Sequence, residues 1–85
     1  MSFRDQPALV QSPDGSPAGR AVDGDMREVM VRFLDGTVRL CRVGQWRHSG
    51  ADWWCLLHWG VSGRLLEGWY LSDPALMEPI GKPPK

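Results

Sequence analysis

Two cysteines and two histidines, Cys41, His48, Cys55 and His58, are the side chains of this 85-residue chain that could hold a soft metal ion. The Cys55-x-x-His58 spacing suits a zinc half-site, but both residues fall in a stretch that reads as a β-strand. Residues three apart on a strand point to opposite faces, so a shared metal would need a bulge between them. The same geometry weighs against a Cys/His or Ser/His/Asp nucleophile, and neither a nucleophile elbow nor a glycine-rich phosphate loop accompanies these residues. The expectation is no catalytic residue, no metal and no cofactor, with His58 pairing on the surface with Glu67.

Anion binding is the next chemistry the residue types allow. Residues 27–47 carry five arginines (Arg27, Arg32, Arg39, Arg42, Arg47) against Glu28 and Asp35, a net charge of +3, while residues 48–80 carry a net −3. Arg32 and Arg39, with Trp46 close by, would form the basic and aromatic mixture that grips nucleic acid. A formal net charge of zero and a pI near 6.7 suit an acidic protein partner, which includes the acidic half of another copy, better than nucleic acid. Aromatic recognition is the third chemistry. Asp52–Leu71 holds Trp53, Trp54, Trp59, Trp69 and Tyr70, four of the five tryptophans and the only tyrosine, enough for a partner surface or a cage around a methylammonium group.

The elements that must position these residues are strands. In Glu28–Leu34, Val29, Val31 and Phe33 alternate with Glu28, Met30, Arg32 and Leu34, and Asp35-Gly36 is the preferred pair for a two-residue type I′ hairpin. That turn would set Phe33 opposite Val38, Arg32 opposite Arg39, Val31 opposite Leu40 and Met30 opposite Cys41. Val29, Val31, Phe33, Val38 and Leu40 would then share an apolar face, with the two arginines together on the other. The second strand should bend at Gly44 and run on to Arg47. Asp52–Gly60 and Leu65–Leu71 form a second hairpin around Ser62-Gly63, which places Trp59 opposite Leu66, His58 opposite Glu67, Leu57 opposite Gly68, Leu56 opposite Trp69 and Cys55 opposite Tyr70. Ser72-Asp73-Pro74 starts a single 3₁₀ or α turn over 74–76, and a short strand over 77–80 follows, confined by Pro79 to an edge or a strand end.

Strand, tight hairpin, bent long strand, hairpin, helical turn and short strand is the order of a small barrel, and several residues strengthen it. Asp52-Trp53-Trp54, then Gly68-Trp69-Tyr70, then Ser72-Asp73, then Glu78-Pro79-Ile80 resembles the second half of an SH3 domain. The resemblance implies an all-β fold: a five-stranded SH3-like barrel with strands at about 28–34, 37–47, 52–60, 65–71 and 77–80. It also implies that Trp53 is the ligand-contacting tryptophan and Trp69 the aromatic of the fourth strand. An ALYDY-like motif is absent, a two-residue turn stands where the long acidic loop would be, and Leu71 replaces the groove proline. Loop lengths are closer to the Tudor-like and bacterial SH3-like barrels, which bind proteins, modified side chains or nucleic acids.

Residues 1–25, with Pro7, Pro13, Pro17 and three glycines and no apolar periodicity, read as a disordered arm; 26–80 is the barrel domain and 81–85 a disordered tail. No apolar run reaches the length of a membrane span, and no basic-then-apolar leader is apparent at the N-terminus, so a cytoplasmic location with free thiols is expected. Trp53 to Trp59 is apolar on both strand faces, more than one barrel interior can hold, so part of it must be surface. The expected function is a non-enzymatic module that binds a protein partner, including itself, through Trp53, Trp69, Trp46, Arg32 and Arg39. A nucleic-acid accessory role and an oligomeric subunit of a phage, plasmid or secretion assembly are the alternatives.

Overall fold

The computed structural model describes residues 5–13 and 15–78. Five strands follow one another: β1 (Arg20–Arg32), β2 (Val38–Ser49), β3 (Asp52–Val61), β4 (Arg64–Leu71) and β5 (Met77–Glu78). They form one antiparallel sheet in the order β4-β3-β2-β1-β5. The chain is all-β, and no α-helix occurs among the described residues. The expected tail over 81–85 and the end of the last strand, 79–80, lie outside the described residues.

The β3–β4 hairpin has the expected register throughout, from Cys55 opposite Tyr70 to Trp59 opposite Leu66. Ser62 (φ 50°) and Gly63 (φ 80°) both take left-handed backbone, as a type I′ turn requires. The bend in β2 is a bulge between Val43 and Gln45. A Cβ on Gly44 would lie 2.6 Å from His58 Nε2, so the glycine leaves the notch into which that imidazole fits. At 74–76 the expected helical turn is a single hydrogen-bonded turn: Leu76 N–H donates to the Asp73 carbonyl and Ala75 N–H to Asp73 Oδ1, both at 2.9 Å.

The first hairpin differs from expectation by one residue. Gly36 N–H donates to the Phe33 carbonyl (2.9 Å) and Phe33 N–H to the Thr37 carbonyl (2.7 Å), so the loop is Leu34-Asp35-Gly36 with Gly36 left-handed (φ 87°). This is a three-residue loop of a type I turn followed by a left-handed glycine. Its cause is local. Asp35 Oδ1 accepts from both the Thr37 N–H (2.9 Å) and the Thr37 hydroxyl (2.6 Å), and Asp35 Oδ2 pairs with Arg39 Nη2 (2.6 Å).

Strand pairing has period two, so this offset exchanges the faces of β2 up to its bulge. Val31 stands opposite Arg39, Met30 opposite Leu40 and Val29 opposite Cys41. Cys41 and Val43 enter the core, while Val38 and Leu40, expected inside, are exposed. Arg32 and Arg39 are no longer opposite each other: Arg32 faces out beside Val38, and Arg39 lies over the Phe33 ring, 4.6 Å from its centroid.

Residues 5–12 correct the expectation of a disordered arm, as does the start of β1 at Arg20. Pro7 and Leu9 are buried, and Pro7 bridges Phe33 while Gln11 bridges Tyr70. Among the described residues no ladder joins β4 to β1 or β5; the N-terminal segment spans that gap. Its Leu9 completes a core built on Val31, Phe33, Val43, Trp46, Leu57 and Trp59. Phe33, Trp59 and Tyr70 meet edge to face in that core, with centroids 5.8 and 6.0 Å apart. The segment lacks apolar periodicity because its contacts are few and come from two different edges.

The hairpin carries a pH signature. Hydrogen bonds from the Thr37 hydroxyl and N–H, with Arg39 adding to them, hold the Asp35 carboxyl at about 2, below its ordinary 3.8. A depressed carboxylate stabilises the fold above its unfolded value and loses that contribution as pH falls through its folded value. Asp35→Asn is expected to flatten the acid limb of a chemical-denaturation series between pH of about 4 and 2, and to differ least from wild type below about pH 2. An unchanged acid limb would place the loop in another geometry.

Candidate functional site

The outer face of the sheet carries two rows. Glu28, Arg42, His58 and Glu67 pair in succession across β1, β2, β3 and β4. Arg42 Nη2 lies 3.0 Å from Glu28 Oε2, and His58 Nδ1 lies 3.3 Å from Glu67 Oε1. The exposed Arg42–Glu28 pair adds only about 0.2–1 kcal/mol to stability, so its value is to fix where charge sits. One residue pair along the strands lies an apolar row. Met30 is opposite Leu40, Gly60 is opposite Leu65, and Val38 lies beyond them beside Arg32.

These side chains are open to solvent: Met30 is 40%, Leu40 48%, Val38 50% and Leu65 79% exposed. Met26 joins them from the bulge in β1, where Asp25 (φ 60°) and Met26 (φ 50°) are both left-handed and Asp25 N–H donates to Asp23 Oδ1 (2.8 Å). A groove of about 330 Å³ runs between Met26, Leu40, His58, Gly60 and Leu65. A second, of about 200 Å³, opens between Met30, Arg32, Val38 and Leu76. An apolar centre with a charged border is the anatomy of a protein-binding patch.

The five residues expected to form the site do not converge. Trp46 is buried at 2% exposure, its indole N–H without a partner among the described residues. Trp53 is half-buried on the inner side, stacked on His48 with centroids 4.2 Å apart and edge-on to Trp46. Trp69 is half-buried on the outer side, opposite Leu56, with the Arg47 guanidinium 5.9 Å from its centroid. Arg32 borders the smaller groove. Arg39 is engaged by Asp35 and by Asp5, 3.4 Å away, and so serves the hairpin and the N-terminal segment.

Met26, Met30, Val38, Leu40 and Leu65 are the residues that sequence reasoning missed as a surface. The signal lay in Thr37: a hydroxyl two residues after Asp35 can satisfy the carboxylate and favour the longer loop. The strand parity of Cys55 and His58 is as expected, the first inside and the second outside. Among the described residues no three His, Cys, Asp or Glu side chains gather as a metal site would need. Burial pushes both thiols up to about 12, and each is a donor, Cys55 to the Tyr70 carbonyl at 3.5 Å and Cys41 to the Arg39 carbonyl at 3.9 Å.

Both cysteines are therefore expected to resist a thiol reagent at neutral pH and to react together only when the fold opens, at a rate that follows global unfolding in a denaturant series. Rapid labelling of either thiol in native buffer would contradict the placement of β2 and β3. Family models, curated proteins and solved structures give no match to this chain.

Proposed function

We propose that the chain is a non-enzymatic SH3-like barrel that binds a protein partner through the outer face of its sheet. The strand order β4-β3-β2-β1-β5, with a turn leading into the short last strand, supports the SH3-like reading. The observation that carries the function is the exposed apolar row Met30, Val38, Leu40 and Leu65 with Met26. Together these side chains present on the order of 500 Å², near the top of what a monomer leaves in one patch.

Magnitudes set what such a face can do. Burying that area is worth roughly 12 kcal/mol gross at about 25 cal/mol per Å², and association costs about 4–15 kcal/mol. The apolar row alone thus supports modest affinity, and the Glu28–Arg42–His58–Glu67 row supplies orientation and partner choice. A second copy would use the same face, which covers the oligomeric reading. Nucleic-acid binding loses its geometric basis, since Arg32 and Arg39 do not face one another and Arg39 is held by two carboxylates.

Leu40→Glu combined with Leu65→Glu tests the reading. Both positions are exposed, so folding stability should change by no more than about 1 kcal/mol in all. Tagged wild-type protein is expected to recover a defined partner from its native lysate, or itself at raised concentration in sedimentation, and the folded double variant to lose that interaction at least tenfold. Equal recovery by the two proteins contradicts the assignment of this face.

A further inference from the structure

The N-terminal segment bonds to the sheet on both sides of the gap between β1 and β4. On the β1 side, Leu34 N–H donates to the Gln6 carbonyl (2.9 Å) and Ala8 N–H to the Arg32 carbonyl (2.8 Å). On the β4 side, Leu71 N–H donates to the Val10 carbonyl (2.8 Å) and Ser12 N–H to the Trp69 carbonyl (2.9 Å). Side-chain recognition is added to these bonds. The Trp59 indole N–H donates to the Asp5 carbonyl (3.0 Å), the Asp5 carboxylate meets Arg39 at 3.4 Å, and Pro7 and Leu9 are buried. The segment is therefore read by backbone bonds around two bridges, Pro7 to Phe33 and Gln11 to Tyr70, and by its acid, proline and leucine side chains, which is the chemistry of β-strand addition in short form.

The tether between this segment and β1 is of a different kind. Pro13 and residues 15–19 belong to no strand, Gly15 (φ 76°) and Gly19 (φ 120°) are left-handed, and Gly19 is hydrogen-bonded through its carbonyl to Arg47 Nη1 (3.2 Å). Nothing in the recognition of residues 5–12 depends on the path that the tether takes.

We infer that the gap between β1 and β4 is a receptor for an Asp-x-Pro-x-Leu segment, and that a second copy of the chain can supply that segment in place of the chain's own. Every contact of the segment is reproduced in the exchanged form, and only the course of residues 13–19 changes. In the intact chain the tether holds the segment at an effective concentration in the millimolar range, which keeps it at home. Shortening the tether removes that advantage. Ser12 bonds to Trp69 on β4 while Arg20 pairs with His48 on β2, so the tether must join one side of the gap to the other. Deletion of residues 14–18 leaves three Cα–Cα steps between Ser12 and Arg20, a reach of at most about 11 Å.

The deletion variant is expected to run in light scattering at twice the 9.5 kDa mass of the chain, less the residues removed. Adding Leu9→Asp should abolish the dimer, adding Leu40→Glu and Leu65→Glu should not, and an excess of a peptide of residues 5–13 should convert the dimer to peptide-bound monomer. A deletion variant that stays monomeric, folded or unfolded, overturns the inference. So does a dimer that survives Leu9→Asp, or one that is lost with the outer-face substitutions or ignores the peptide.

Discussion

The Asp35 carboxylate, accepting from the N–H and the hydroxyl of Thr37, is the interaction on which the outer and inner surfaces of the protein depend. It stabilises a loop one residue longer than Asp-Gly alone favours, and a one-residue change of register exchanges the two faces of a strand. With the loop closed at Phe33 and Thr37, Cys41 and Val43 turn inward and Val38, Leu40 and Arg42 turn outward. Arg39 comes to the rim of the core, where Asp35 holds it from one side and Asp5 from the other. The hairpin thus positions the exposed apolar row and also prepares the anchor for the N-terminal segment.

A sheet of this size has little interior, and the chain completes it with residues that carry no regular structure. Leu9 closes the core between the β1 and β4 edges, and the Trp59 indole finds its acceptor in the carbonyl of Asp5. Because Val10 and Ser12 bond to the end of β4, part of that exposed edge is protected from pairing with other chains. Left-handed Asp25 and Met26 interrupt β1 in the same spirit, since a bulge blunts an edge and sharpens its twist. The aromatic block divides accordingly. Trp46 and Trp59 fill the interior, while Trp53 and Trp69 are half-buried on opposite faces and rest on His48 and Arg47.

What the sequence makes legible follows from how local each determinant is. The β3–β4 register is written in Ser62-Gly63 and in the alternation of Trp53 to Trp59 against Leu65 to Leu71, and the β2 bulge is written in Gly44. Two things escape. Loop length at Asp35-Gly36 depends on a side chain outside the turn pair, and the burial of Leu9 depends on edges more than twenty residues away in sequence. The candidate site inherits the first error: Val38 and Leu40 look like core and Arg32 and Arg39 look like a pair until the register is known. Trp46 is misplaced by the same offset: the bulge at Gly44 turns Trp46 inward once Cys41 and Val43 are the inner residues before it, and outward in the expected register.

The most direct measurement is an isotope-edited NOE experiment on the full chain, read at the α-protons of the first hairpin. In an antiparallel ladder the α-protons of non-hydrogen-bonded pairs approach closely, and Arg32 bonds away from β2, to Ala8 and Leu76. Strong cross-strand α-proton contacts are therefore predicted for Arg32 with Val38 and for Met30 with Leu40. Contacts aligned instead on Phe33 with Val38 and Val31 with Leu40, the non-hydrogen-bonded pairs of a two-residue loop, would turn Val38 and Leu40 into the core and remove the outer apolar row.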